Sequence, residues 1–223
     1  MAVAVTLAAG ALVAATRPPS QALVSAAGGA YTAGCVYAYG KEVGPGDYVT
    51  VLRAVLLAHV AGFVLVRPDG VQRYTAGSAF VLSALLDAVD GAVARRYGGT
   101  ELGDMLDVEV DGVATLTGSV VGVVHGWLPT VYVGVGLARY AFLAGLKAHS
   151  VLFSQDAPGL SRSLTRNLLS VLQTGVIALA ILPVVRGEVT RILGYVAMAP
   201  FLLWFFRDWL VACGRYNYPE RGD

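Results

Sequence analysis

Long apolar runs, broken by short polar stretches, dominate the chain. They fall at roughly 1–16, 21–39, 51–66, 74–94, 103–124, 128–147, 168–185 and 192–212. A helix needs about 20 apolar residues to cross a bilayer, and about 17 still suffice. The last five runs meet that length, and 51–66 meets it once extended by a residue or two at each end. The first two are weaker: 1–16 is short and Ala-rich, and 21–39 is diluted by Gly, Ser and Thr. No Lys or Arg precedes the first run, which argues against a cleaved signal peptide. The pattern predicts an all-α polytopic membrane bundle, a six-helix core with two further N-terminal helices.

Composition points the same way. Apolar residues make up 56% of the 223 and charged residues only 14%, against about 25% charge in a soluble domain. A net charge of +1 provides no basic field for nucleic acid. Cys35 and Cys213 stand alone and give neither a disulfide framework nor a zinc pattern. Basic residues set the orientation. With the 95–102 connection in the cytoplasm, that side holds Lys41, Arg53, Arg95, Arg96, Lys147, Arg162, Arg166, Arg207, Arg215 and Arg221, and the other only Arg17, Arg67, Arg73, Arg186 and Arg191. Both termini are therefore expected in the cytoplasm.

The acidic residues are concentrated. Asp87, Asp90, Glu101, Asp104, Asp107, Glu109 and Asp111 are seven of the fifteen in the chain and fall within twenty-five residues. A carboxylate at the centre of a membrane helix costs about 2.5–3.5 kcal/mol, so such residues signal function. Asp87 and Asp90 are three apart, Asp107 and Asp111 four apart, so each pair shares one helix face. The short connection at 96–102 makes the two helices antiparallel neighbours with the pairs facing each other. Four carboxylates this close require a cation. Hard oxygen ligands with room for phosphate oxygens suit Mg²⁺ or Mn²⁺. The residues thus point to a metal site open to the cytoplasm and prepared for a phosphate-bearing substrate.

Asp87-Ala-Val-Asp90-Gly91-Ala-Val-Ala94-Arg95, followed by Gly103-Asp-Met-Leu-Asp107-Val-Glu-Val-Asp111, resembles the signature of the CDP-alcohol phosphatidyltransferases. All eight defining positions are present. The spacer is seven residues, Arg96 to Leu102, where the family has eight, and Thr100 keeps the family's Thr-x-x-Gly placing, which puts the deletion in the Tyr97-Gly98-Gly99 turn. Thr50-Val-Leu-Arg53 resembles the Thr-x-x-Arg at the start of the family's first core helix. The resemblance covers about 47–212. The expected organisation is N-terminal hydrophobic helices over 1–40, the membrane domain over 41–212 and a short tail over 213–223.

The resemblance implies the reaction, in which an alcohol hydroxyl attacks the lipid-side phosphorus of a CDP-linked lipid and CMP leaves. It implies Asp87, Asp90, Asp107 and Asp111 around Mg²⁺ or Mn²⁺, with Asp111 accepting the proton of the attacking hydroxyl. Asp87, Gly91, Ala94, Arg95, Thr100 and Gly103 are expected at the nucleotide, and a homodimer is expected by the same likeness. Arg139, alone in an apolar span, needs an anion. With Arg162 and Arg166 it is the candidate acceptor-binding set, which favours glycerol phosphate or inositol phosphate. Serine or another amino alcohol, held by Glu109 or Asp104, is the alternative acceptor. Otherwise Glu109 and Asp104 read as residues at the interface or behind the ligands. His59, His125 and His149 have no partner spacing, and Trp204, Phe205, Phe206 and Trp209 read as a lipid-facing or interfacial belt. A divalent-cation transporter would also explain buried aspartates, but gives no reason for Gly91, Ala94 and Arg95 in this register, and an inactive scaffold would not need the aspartates intact.

Overall fold

The computed structural model describes residues 26–30, 33–34, 43–153 and 164–212. Six long helices make up the bundle: α1 Pro45–Ala61, α2 Gly70–Tyr97, α3 Glu101–Val124, α4 Val133–Phe153, α5 Leu164–Ile181 and α6 Gly187–Ala212, with 3₁₀ turns at Gly62–Val64 and Thr130–Tyr132. There is no strand among the described residues. Of the two expected N-terminal helices only 26–30 and 33–34 are described, and both pieces are helical. The rest of 1–42, with Arg17, Cys35 and Lys41, lies outside the described residues, as do Arg162 and the tail with Cys213, Arg215 and Arg221.

Local chemistry sets the helix starts. Asp69 caps α2 by accepting from Gln72 N at 2.8 Å, and Gln72 Oε1 accepts from Asp69 N in return, a reciprocal capping box. Thr100 caps α3 by accepting from Gly103 N at 2.9 Å. Between these two helices the chain reverses at Gly98, whose φ of +91° suits glycine. The shortened spacer runs through this turn.

Stretches of five helical segments are long and apolar enough to cross a membrane: Pro45–Val64, Gly70–Tyr97, Thr130–Ala148, Leu164–Ile181 and Gly187–Val211. The sixth, α3, has 24 residues but carries Glu101, Asp104, Asp107, Glu109 and Asp111 in its first turns. It is shielded by its neighbours: α3 packs on α1, α4 and α5, while α1 also runs along α2. The expectation that α2 and α3 lie side by side is corrected here. They touch little, because α1 packs extensively on both, and it is this third helix that brings the two aspartate pairs together.

The core is built from Leu57, Phe63, Phe80, Val121, Ile177 and Ile181, with Tyr132 among them. Tyr132 donates to Gln173 Oε1, and Gln173 Nε2 donates to Ala197 O at 2.8 Å, so these buried polar groups are satisfied. At the end of the bundle away from the 97–101 turn, Arg73 donates to the Ala180 and Ile181 carbonyls at 2.9 Å and stacks on Trp127. Thr190 donates to Trp127 O at 2.7 Å, and the His125 ring pairs with Phe63 O at 2.7 Å. His125 thus has a partner that its sequence surroundings do not reveal. His59 packs edge-on against Phe63.

Close approach of α3 and α5 depends on Gly118. A methyl group there would overlap Ile177 Cγ2 and crowd Phe80, both almost fully buried. Gly118→Ala is expected to destabilise the protein by about 1–3 kcal/mol, the usual cost of overpacking, measured by denaturant unfolding in detergent. An unchanged midpoint would show that α5 can yield at this contact.

Candidate active site

Three helices build the site: α1 near its start, the last turns of α2 and the first turns of α3. Arg53 of α1 is 2% exposed, and its guanidinium lies among all four signature aspartates. Nη1 donates to Asp90 Oδ2 and Asp107 Oδ1, each at 2.6 Å. Nη2 donates to Asp111 Oδ1 at 2.6 Å and pairs with Asp87 Oδ1 at 2.7 Å. Thr50, one turn before Arg53, donates to Asp90 Oδ2 at 3.2 Å, and Ser83 of α2 donates to Arg53 O at 3.4 Å. Asp90 is buried, whereas the side chains of Asp87, Asp107 and Asp111 are 48%, 44% and 55% exposed. The cluster is therefore deep at Asp90 and open on its other side.

The sequence tally sets Arg53 with the cytoplasmic-side positive charges, and the structure shows it buried among the aspartates. It is an internal counter-charge. A sequence signal for it existed in the Thr50-Val-Leu-Arg53 match at the head of the 51–66 run.

One guanidinium cannot neutralise four ionised carboxylates. Carboxylate oxygens of Asp87, Asp90 and Asp107 lie within 4.8 Å of one another. An all-oxygen, net-negative donor set with an open side fits Mg²⁺ or Mn²⁺, so these residues suit the divalent ion that the signature implies.

The expected nucleotide residues divide into two groups. Asp87, Gly91 and Arg95 follow at four-residue intervals on one face of α2. Among the described residues, a Cβ on Gly91 would meet nothing within 4 Å except Arg95 Nη1, so that face is open to them. Ala94 and Asp90 present their backbone to Gly46 of α1. Thr100 and Gly103, by contrast, are engaged with Asp47, a buried residue in the first turn of α1 that the sequence reading did not single out. Thr100 Oγ1 lies 2.8 and 2.9 Å from the two Asp47 oxygens and can donate to either. Gly44 N donates to Asp47 Oδ2 at 2.8 Å. A side chain at Gly103 would collide with Asp47 Oδ1. Thr100 and Gly103 thus tie the start of α3 to the start of α1.

Two cavities open on either side of Asp111. One, of about 320 Å³, lies among α1, α2, α3 and α5 and joins Arg53, Asp87 and Asp111 to apolar walls that include Phe80, Val81 and Leu85. The other, of about 410 Å³, lies among α3, α4, α5 and α6 and is lined by Asp111, Arg139, Ser170, Trp204 and the pair Arg166 and Asp208. Asp111, Thr115 and Ser170 belong to both. Arg139 Nη2 faces Glu109 Oε1 at 3.8 Å, while Asp104 is exposed. Trp204 and Phe205 line the larger cavity, and Trp209 packs over Gly145 of α4. Of the expected lipid-facing belt only Phe206, 61% exposed, faces outward fully.

The carboxylate centre thus lies between two cavities within a helical bundle that has five helices long and apolar enough to cross a membrane. The family model for CDP-alcohol phosphatidyltransferase matches residues 46–205, and the chain belongs to that family, whose members make phospholipids by moving the phosphatidyl group of a CDP-alcohol. No curated protein and no solved structure matches the chain.

Proposed function

We propose that the protein transfers a phosphatidyl-type group from a CDP-linked lipid to a phosphorylated small alcohol, releasing CMP, at the four-aspartate centre facing the cytoplasm. The observation that carries this reading is the position of Asp111 in the wall common to both cavities. On this reading the smaller, largely apolar cavity receives the lipid side of the donor beside Asp87. The larger one receives the acceptor, whose hydroxyl meets Asp111. Asp87, Asp90, Asp107 and Asp111 would hold Mg²⁺ or Mn²⁺, which when bound polarises the pyrophosphate and offsets charge on the departing CMP. Asp111 takes the hydroxyl proton, with its carboxylate held toward the site by Arg53. The open face of Gly91 and Arg95 receives the nucleotide, with Ala94 on the adjoining face. Thr100 and Gly103 act there by fixing the 98–103 turn against Asp47.

Glycerol phosphate or inositol phosphate is the favoured acceptor. Arg139 and Arg166 both line the larger cavity, and Arg139 Nε and Trp204 Nε1 are buried there with no acceptor among the described residues. A phosphate in this cavity faces the two guanidinium groups. Serine would need a free carboxylate, yet Glu109 faces Arg139 and Asp104 does not line this cavity. The basic bias of the 95–102 side supports the cytoplasmic placing, and a homodimer in the membrane completes the proposal.

The test is CMP release by purified protein in liposomes supplied with a CDP-lipid, against glycerol phosphate, inositol phosphate, inositol and serine, with Mg²⁺, Mn²⁺ or a chelator. Release is expected with one phosphorylated acceptor only and is abolished by the chelator. Release with serine alone would overturn the acceptor assignment, and chelator-resistant release would overturn the metal.

A further inference from the structure

Asp208 belongs to no motif and lies in the aromatic run of α6, yet its side chain is only 6% exposed. A carboxylate at that depth in an apolar helix is costly and needs a partner. Its partner is Arg166, at the opening of α5. Arg166 Nε donates to Asp208 Oδ2 at 3.0 Å, and Nη2 lies 3.0 Å from the same oxygen, so one carboxylate oxygen anchors the edge of the guanidinium. Arg207 adds a longer contact to the other oxygen, Nη2 to Oδ1 at 3.7 Å, and Arg207 is itself stacked over Trp204. Asp208, Arg166 and Trp204 line the same cavity as Asp111 and Arg139. Arg166 is 38% exposed beside its buried anchor.

We infer that Asp208 is a positioning residue for the acceptor: it fixes the Arg166 guanidinium in the cavity wall so that the anionic group of the acceptor is bound while its hydroxyl points to Asp111. The inference rests on reading this cavity as the acceptor site. A long arginine side chain left unanchored loses rotamer order on binding and gives up affinity. A carboxylate that accepts from Nε and pairs with Nη2 removes that cost and orients the planar donor fork. The separation matters as well. Arg53 sits with the aspartate centre and Asp208 with Arg166 at the α5–α6 wall of the cavity, so Asp208 acts on the end of the acceptor remote from the reacting hydroxyl. Its effect falls on acceptor binding and not on the donor.

The test uses full-length protein in liposomes and compares wild type, Asp208→Asn, Arg166→Gln and the double variant. Asp208→Asn is expected to raise the acceptor KM by about tenfold or more, the usual scale for removing an orienting partner, while the KM for CDP-lipid moves less than about threefold. In the Arg166→Gln background the same substitution is expected to add almost nothing, because the residue it positions is gone. Equal rises in both KM values, or effects that multiply in the double variant, would overturn the inference in favour of a purely structural pair. If the asparagine variant is not recovered folded, Asp208→Glu serves instead. It keeps the buried charge but shifts the guanidinium, and is expected to raise the acceptor KM alone, and an unchanged acceptor KM would overturn the inference. Wild-type protein that releases no CMP with any acceptor overturns the reaction reading itself, a failure seen before any variant is compared.

Discussion

Asp111→Asn is expected to lower CMP release by about two to four orders of magnitude, the range for losing a general base. Binding of Mn²⁺ and of CDP-lipid should remain largely intact. The reasons are geometric. The asparagine carbonyl can still accept from Arg53 Nη2, which donates to Asp111 Oδ1 at 2.6 Å, so the side chain keeps its place. Asp87, Asp90 and Asp107, whose oxygens cluster within 4.8 Å, are untouched. What disappears is the ability to accept a proton at the wall common to both cavities. Turnover is read from CMP release, ion binding from the electron paramagnetic resonance of Mn²⁺, and donor binding from labelled CDP-lipid retained on liposomes. Full activity would remove Asp111 from the role of base. Loss of Mn²⁺ binding in step with activity would make it chiefly a ligand.

The second large effect belongs to Arg53. Arg53→Met leaves Asp90 buried and four carboxylates without the charge they share. Breaking a buried pair by removing one partner costs about 3–5 kcal/mol, and here one partner serves four. The variant is expected to lose at least that much stability in denaturant unfolding and to release no measurable CMP. Arg53→Lys separates charge from shape. It restores a cation but not a planar fork whose two terminal nitrogens reach four oxygens at 2.6–2.7 Å, so it should recover part of the stability and little of the activity. A methionine variant as stable as wild type would show that the ion pairs contribute nothing net to folding.

These two residues also mark how far the sequence could be read. The aspartates were visible because charge inside apolar helices is conspicuous, and their spacing set which of them share a face. The apolar runs likewise announced the bundle and its core spans. Arg53 stood in plain view, but a tally of basic residues by side of the membrane treats a buried arginine and an interfacial one alike. Asp47 was hidden for another reason: an acid in the first turn of a helix is ordinary, and only the arrival of Thr100 and Gly103 from α3 gives it a further use. Asp208 was masked by its aromatic neighbours, whose composition suggests a lipid-facing strip although Trp204 and Phe205 turn inward. The placing of α1 against both α2 and α3 could not follow from the short 98–100 connection, because connection length constrains helix ends and not what packs between their bodies.

The shared wall at Asp111 has a consequence for how such a protein can diversify. On the proposed reading, the charged residues that meet the donor and the ion lie between Arg53 and Asp111, on α1, α2 and α3, while α5 adds wall to the donor cavity. Those that meet the acceptor, Arg139, Arg166 and Asp208, lie on the last three helices. The charged groups of the chemistry and of the choice of alcohol thus fall in consecutive halves of the chain, which meet where Asp111, Thr115 and Ser170 line both cavities. Substitutions in the second half can exchange one alcohol for another while the first half keeps the same reaction, and a lineage can acquire a new headgroup without rebuilding its catalytic centre.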